Sequence, residues 1–147
     1  MNGKYFLDTN IFVYCFDEVN SFKRKRAQSL VQEALNSEKG VISFQIVQEF
    51  FNLATKKFPV KPPINELIDY LNLILMPMCI IYPTQNIYQQ ALYHHYIDGI
   101  PFYDALVLSA AIEADCHTLY SEDLQHGRVI SGVKIQNPFE IKAFKSI

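Results

Sequence analysis

The chain has 147 residues, of which 50% are hydrophobic and 19% are charged, and its formal net charge is −2. This length and balance predict a single globular domain over residues 1–147 and exclude a disordered chain. Because the net charge is close to zero, any contact with nucleic acid must come from a local patch and not from the chain as a whole.

Cysteine spacing and hydropathy indicate the compartment. Cys15, Cys79 and Cys116 have no paired spacing, which favours free thiols in a reducing environment. Asp8 interrupts what would be the apolar region of a signal peptide. The most apolar stretch, residues 71–82, is too short to span a bilayer and contains a proline. We therefore expect a soluble, cytoplasmic protein that makes no contact with membranes.

The N-terminal segment predicts a buried strand followed by a helix. Residues 5–7 form an apolar run that stops at Asp8. Thr9 and Asn10, both good helix N-caps, precede an apolar helical segment over residues 11–16. Fully buried strands are typical of parallel sheets, in which ligands bind beyond the carboxyl ends of the strands. Asp8 therefore marks a candidate site.

The second predicted helix runs from Ser21 to about Ser37 and carries a basic run in its first turn. The run consists of Lys23, Arg24, Lys25 and Arg26. Cations at a helix N-terminus oppose the macrodipole, so this placement is locally unfavourable. The run is either a solvated basic face or a surface for an RNA backbone or an acidic partner. Lys56 and Lys57 are further candidates for RNA contact.

Glu49 lies among the apolar residues of the third predicted helix. A second buried strand, residues 41–44, leads into this helix. A carboxylate beside an apolar face must be paired, bound to a metal or placed at the rim of that face. A proline-rich turn over residues 58–63 follows, and then a helical pattern that ends at Pro77.

Two histidines lie near the end of the next helix. A third buried strand, residues 79–82, precedes this helix, which Thr84 caps and which stops at Gly99. His94 and His95 are explained better by a favourable interaction with the helix dipole than by metal ligation.

The last part of the chain supplies two further acids. Pro101 suits the first position of a helix that has Asp104 in its first turn. A fourth strand, residues 117–120, is followed by Ser121, Glu122 and Asp123. Late strands at residues 129–130 and 133–135 and a basic tail complete the chain.

Four of these acids converge on one edge of the predicted sheet. Short buried strands alternating with helices predict an α/β fold with a short, mainly parallel sheet and right-handed crossovers. Asp8 and Asp123 follow strands, while Glu49 and Asp104 lie on helices whose N-termini reach the same edge. Clustered carboxylates are unfavourable without a cation, and oxygen ligands suit Mg²⁺ or Mn²⁺. Helix capping is an alternative that explains Asp104 well, Asp123 partly and Glu49 poorly.

Four short motifs carry a family resemblance that extends from Tyr5 to about Pro138. They are Leu7-Asp8-Thr9-Asn10, Gln48-Glu49-Phe50, Tyr103-Asp104-Ala105-Leu106 and Ser121-Glu122-Asp123. Together and in this order they resemble the PIN domain, in particular the VapC-like ribonuclease toxins of bacterial toxin–antitoxin pairs. The resemblance implies a three-layer α/β/α sandwich, a homodimer and a cognate antitoxin protein.

The resemblance also implies roles for the acids. Asp8, Glu49, Asp104 and Asp123 match the family's catalytic and metal-binding positions, and its supporting polar positions match Asn10 and Ser121. Glu122 adds a fifth acid, and we assign the inward position to Asp123 because it keeps the Ser-x-Asp spacing.

The expected function is that of a Mg²⁺- or Mn²⁺-dependent endoribonuclease acting on RNA. Asp8, Asp104 and Asp123 would ligate the metal, and Glu49 would ligate it or orient the attacking water. The alternatives are a non-catalytic PIN-like scaffold and a housekeeping RNA-processing nuclease. An aspartyl phosphatase would require a second aspartate where Asn10 stands, and the paired acids and late lysine of a receiver domain are not evident.

Overall fold

Six strands form the central sheet. They are β1 (Tyr5–Leu7), β2 (Gly40–Ser43), β3 (Cys79–Ile81), β4 (Thr118–Tyr120), β5 (Val129–Ile130) and β6 (Val133–Gln136). The structure, a computed structural model, describes residues 3–140, so the predicted basic tail lies outside the described residues. The strand order is β3-β2-β1-β4-β6-β5, with parallel pairing throughout except that β5 runs antiparallel to β6 at one edge.

The helices occupy the connections between these strands. They are α1 (Thr9–Tyr14), α2 (Ser21–Ser37), α3 (Phe44–Lys56), α4 (Ile64–Tyr70), α5 (Met76–Met78), α6 (Gln85–Asp98) and α7 (Phe102–Glu113). A π-helical segment, Leu71–Leu75, joins α4 to α5. Within residues 3–140, no helix has the length and apolar character needed to cross a membrane.

The strand order determines the layers. The chain moves from β1 through β2 to β3 in one direction and then crosses back to β4 on the other side of β1. With right-handed crossovers, α1 to α5 cover one face of the sheet, and α6 and α7 cover the opposite face. This arrangement confirms the predicted α/β fold with a short, mainly parallel sheet between two helical layers. Leu7 pairs with Tyr120, so the residues that follow β1 and β4 leave the sheet side by side.

The core explains why the central strands are so apolar. Every residue of β1 and β2 is buried. Phe50 on α3 has no exposed surface and stacks on Tyr70, with ring centroids 5.0 Å apart. Gly40 allows β2 to approach α2 closely, because a Cβ atom at this position would lie 2.2 Å from the Cβ of Ala34. These contacts hold α2 against β2 and α3 against α4.

Three predicted helix starts are wrong by one or two residues. The cap of α1 is Asp8, whose Oδ1 accepts a hydrogen bond from the Thr9 backbone N–H at 2.7 Å, so the helix begins before residue 11. The cap of α2 is Asn20, whose side chain accepts a hydrogen bond from the Lys23 N–H at 3.0 Å. Pro101 occupies the N-cap of α7 instead of its first helical position. A capping residue must have extended backbone while the next residue is already helical, and spacing alone does not locate that change.

Candidate active site

Three aspartates form a compact group at the carboxyl edge of the sheet. One carboxylate oxygen from each of Asp8, Asp104 and Asp123 lies within 4.8 Å of the others. Asp8 is buried at the end of β1, Asp104 is half-buried in the first turn of α7, and Asp123 is exposed after β4. The group forms because a parallel sheet brings the ends of β1 and β4 together and the N-terminus of α7 returns to the same edge.

Polar neighbours orient these carboxylates. Asp8 Oδ2 accepts a hydrogen bond from the Ser121 hydroxyl at 2.8 Å, and the same hydroxyl oxygen accepts one from the Asp123 N–H at 3.2 Å. The Asn10 amide donates to the two oxygens of Asp123 at 3.3 and 3.4 Å. The structure thus places both predicted supporting residues, Asn10 and Ser121, in contact with aspartates of the group. Each carboxylate oxygen of Asp8 accepts one hydrogen bond and keeps a second lone pair for a ligand.

Glu49 lies in the same cleft but outside the three-aspartate group. Its Oε1 accepts a hydrogen bond from the Thr9 hydroxyl at 2.5 Å, and its Oε2 accepts one from the Gln45 amide at 3.0 Å. Gln45 also donates to the Tyr103 carbonyl at 3.2 Å, which links α3 to the start of α7. The cleft has a volume of about 260 Å³ and is lined by Asp8, Thr9, Asn10, Glu49, Asn52, Leu53, Asp104, Val107 and Asp123.

Sequence reasoning missed Thr9, Gln45 and Asn52 as members of this site. Gln45 lies four residues before Glu49 and Asn52 three residues after it, so helical spacing places all three on one face of α3. This spacing would have identified Gln45 and Asn52 from the sequence. The contact of Thr9 with Glu49 joins residues 40 positions apart in the chain and required the fold.

Burial makes the group electrostatically unfavourable when all three aspartates are ionised. Burial raises the pKa of Asp8 from its ordinary value of 3.8 to about 7, against the lowering effect of its hydrogen bonds. Burial also raises the pKa of Asp104, and the charges of Asp123 and Glu49 raise it further. The pKa of Asp123 is raised by partial desolvation of its carboxylate and then by the charges of Glu122 and Glu49. Within residues 3–140, none of the ion pairs involves these aspartates.

Glu122 contacts α1 and α2 instead of the cleft. Its carboxylate accepts a hydrogen bond from the Tyr14 hydroxyl at 2.6 Å and forms an ion pair with Lys23. The structure therefore places Asp123, and not Glu122, with Asp8 and Asp104.

The other predicted basic residues divide into two groups. The Arg24 guanidinium donates to the Asp17 carbonyl at 2.9 Å, and that of Arg26 donates to the Pro138 carbonyl at 3.1 Å. The remaining predicted residues, Lys25, Lys56 and Lys57, are exposed.

Comparisons with known proteins agree with this geometry. The model of the PIN domain matches residues 5–130. A comparison with curated protein sequences gives no match. Among solved structures, a toxin–antitoxin complex from Klebsiella pneumoniae is 21% identical with a TM-score of 0.66, covering 94% of this chain and 100% of the matched chain. The DNA-bound VapBC complex from Salmonella typhimurium is 22% identical with a TM-score of 0.62, covering 93% and 99%.

A third solved structure is the sarcin–ricin loop-cleaving toxin VapC20 from Mycobacterium tuberculosis. It is 13% identical with a TM-score of 0.60, and the match covers 82% of this chain and 90% of the toxin. At these identities the solved structures show a shared fold, whereas the family model matches most of the sequence. The chain therefore belongs to the PIN domain family and has the fold of VapC-like toxins.

Proposed function

We propose that the protein is a metal-dependent endoribonuclease and the toxin of a toxin–antitoxin pair. The observation that carries the proposal is the group of three aspartates whose ligand atoms lie within 4.8 Å of one another. Asp8 is only 5% exposed, and no ion pair within residues 3–140 offsets its charge. Three carboxylates with free lone pairs provide the hard oxygen ligands that Mg²⁺ and Mn²⁺ prefer, so the residues fit such a cation.

The residues of the cleft have distinct tasks in this proposal. Asp8, Asp104 and Asp123 would hold the cation, which when bound would lower the pKa of coordinated water and stabilise negative charge on a phosphate. Glu49 orients the attacking water and accepts its proton, because Thr9 and Gln45 fix its two oxygens at 2.5 and 3.0 Å. Asp8 and the Ser121 hydroxyl that donates to it are both buried, so this ligand is held by a rigid part of the sheet edge.

RNA contact is assigned to exposed lysines and to an exposed tyrosine that precedes Asp104. Lys56 and Lys57 lie at the C-terminal end of α3, the helix that carries Glu49, and are free to approach phosphates. Lys25 offers a further positive charge on α2. Tyr103 is 69% exposed immediately before Asp104, so its ring is available to stack on a base beside the scissile phosphate.

The antitoxin is assigned to an apolar groove that adjoins the cleft. The groove has a volume of about 650 Å³ and shares Asn10 and Leu53 with the cleft. Its apolar lining includes Val13, Phe16 and Val60. A partner segment with apolar side chains in the groove and an Arg or Lys over the aspartates fits both surfaces. Two of the matched solved structures are toxin–antitoxin assemblies, which supports such a partner.

An exposed apolar face on α6 supports a homodimer. Five large side chains at helical spacing are between 46% and 81% exposed: Tyr88, Leu92, Tyr93, Tyr96 and Ile97. Exposed patches of this kind on small proteins mark association surfaces. Light scattering should give twice the chain mass for the wild type and the chain mass for Tyr96→Glu. A monomeric wild type would remove the dimer from the proposal.

Cleavage of total RNA tests the function. The wild type should cleave RNA in Mg²⁺ or Mn²⁺ and not in EDTA, and the cleavage sites are mapped by sequencing. Asp104→Asn should cleave at least about a hundredfold more slowly. Asp69→Asn, which alters an exposed aspartate on α4, should keep wild-type activity. An inactive wild type with every RNA tested would favour a non-catalytic scaffold.

Co-expression with the product of the neighbouring gene tests the toxin assignment. That protein should co-purify with the chain and suppress its RNase activity, and Val60→Asp in the groove should weaken the suppression. An active nuclease that this protein neither binds nor inhibits would favour a housekeeping role in RNA processing.

A further inference from the structure

Glu122 anchors the loop that carries Asp123. The loop is held on one side by Ser121, whose hydroxyl donates to buried Asp8. On the other side, Glu122 accepts a hydrogen bond from the Tyr14 hydroxyl at 2.6 Å and pairs with Lys23. The side chains of Lys23 and Glu122 are 26% and 23% exposed. This ion pair is therefore more shielded from water than an ordinary surface pair, and it has a second hydrogen-bonding partner.

Lys23 is itself fixed by aromatic neighbours. Its ammonium group donates to the Tyr14 hydroxyl at 3.1 Å. It also lies 4.6 Å from the ring centroid of Tyr14 and 5.4 Å from that of Phe139, within the range of cation–π attraction. These contacts offset the unfavourable position of a cation in the first turn of α2. Lys23 thus serves as a rigid anchor for Glu122.

Asp123, in contrast, is exposed and weakly held by its own side chain. The Asn10 amide reaches its carboxylate at 3.3 and 3.4 Å, which is longer than a strong N–H···O bond. Its backbone N–H donates to the Ser121 hydroxyl at 3.2 Å. The direction of the Asp123 side chain therefore depends on the loop backbone, which Ser121 and Glu122 fix.

We infer that Tyr14, Lys23 and Glu122 form a positioning network that holds Asp123 beside Asp8 and Asp104 for metal binding. The inference rests on the proposed metal-dependent function. When Glu122 loses its partners, the side-chain contacts left to hold Asp123 are the Ser121 hydroxyl and the long Asn10 hydrogen bonds. The Asp123 carboxylate then samples positions out of reach of the other two aspartates. Groups that orient metal ligands typically change metal affinity about 10–100-fold.

The test is the affinity of the full-length protein for Mn²⁺, measured by calorimetry at a temperature where every variant is folded. Glu122→Ala and Lys23→Met should each raise the Kd about tenfold or more. The double variant should bind Mn²⁺ no more weakly than Glu122→Ala alone, because Lys23 and Glu122 act as a unit. RNA cleavage should need correspondingly more Mn²⁺, and saturating Mn²⁺ should restore most of the rate. Glu33→Gln, at an exposed carboxylate on the same helix as Lys23, is the matched control and should keep wild-type affinity.

Three outcomes separate the positioning role from the proposed function. Wild-type Mn²⁺ affinity in both Glu122→Ala and Lys23→Met would overturn the positioning role and leave the nuclease function standing. A lower melting temperature with unchanged affinity would also overturn it, since the network would then serve folding alone. Identical Mn²⁺ titrations for the wild type and Asp8→Asn/Asp104→Asn would overturn both, because the metal would not bind at the aspartates.

Discussion

Without metal, the stability of this protein should fall as the pH rises, because Asp8 is buried. Its pKa is about 7 in the folded chain and 3.8 in the unfolded chain. Between these values the folded state keeps a proton that the unfolded state has released, so the free energy of unfolding decreases with increasing pH. Each pH unit of that interval corresponds to about 1.4 kcal/mol, so the full loss at pH 8 is about 4 kcal/mol.

The Asp8→Asn substitution removes this dependence while keeping the size of the side chain. Urea melts in EDTA between pH 4.5 and pH 8 should show that the variant gains stability relative to the wild type as the pH rises. The substitution also alters the hydrogen bonds to Thr9 and Ser121. This changes the stability by the same amount at every pH, so it does not affect the difference in slope between the two proteins. Asp69→Asn, at an exposed position, should follow the wild type.

Saturating Mn²⁺ should reverse the pH dependence of stability in the wild type. The cation binds the ionised carboxylate, so the free energy of unfolding then rises with pH. Parallel pH profiles for the wild type and Asp8→Asn in EDTA would refute the reasoning. They would mean that Asp8 is ionised in the metal-free fold and that its charge is offset by groups other than a metal.

Three further predictions concern the metal, the catalytic role of Asp104 and the fold. Mn²⁺ at ten to a hundred times its Kd should stabilise the wild type by about 1–3 kcal/mol and raise its melting temperature in scanning fluorimetry. The double variant Asp8→Asn/Asp104→Asn should lose most of this rise. An equal rise in both proteins would place the metal elsewhere. Asp104→Asn should lower RNA cleavage at least about a hundredfold in a time course. In EDTA the same substitution should leave the free energy of unfolding unchanged or raise it by roughly 0.5–2 kcal/mol, because a like-charge interaction is relieved. A destabilised but active variant would mean that Asp104 only stabilises the N-terminus of its helix. Gly40→Ala should lower the free energy of unfolding in urea by about 1–3 kcal/mol, because its Cβ would lie 2.2 Å from that of Ala34; unchanged stability would show that β2 and α2 can move apart.

The sequence predicted the convergence of acids because connectivity alone determines it. In a parallel sheet every strand ends at the same edge, so Asp8 after β1 and Asp123 after β4 were expected at one edge. That the two are neighbours follows from the pairing of β1 with β4, which only the structure reveals. The position of Asp104 could be inferred because the helix before β4 runs antiparallel to that strand, so its N-terminus lies at the same edge. The buried character of β1 and β2 was equally evident, since their residues are apolar without alternation.

Features that depend on contacts between distant residues could not be predicted. Glu122 and Asp123 are adjacent acids in a loop without periodicity, and their directions are decided by Tyr14 and Lys23, which lie 108 and 99 positions from Glu122.

The π-helical segment Leu71–Leu75 has apolar spacing compatible with an α-helix, and one turn does not distinguish the two hydrogen-bond patterns. Asp8 was identified as a site residue, but its second task as the cap of α1 was not.

The chemistry of the RNA ends tests the central claim most directly. In the proposed hydrolysis, a water molecule that loses a proton to Glu49 would attack phosphorus and break one P–O bond. The products would be a phosphate monoester and a leaving oxygen that takes up a proton to become a hydroxyl, and the cation held by the three aspartates would stabilise the charge that develops. When cleavage is run in ¹⁸O-labelled water with Mn²⁺, mass spectrometry should find one ¹⁸O atom in the terminal phosphate of the wild-type products, and no products in EDTA or with Asp8→Asn/Asp104→Asn. Ends that carry a 2′,3′-cyclic phosphate, or equal product from the double variant, would contradict the assignment of hydrolysis to the three aspartates.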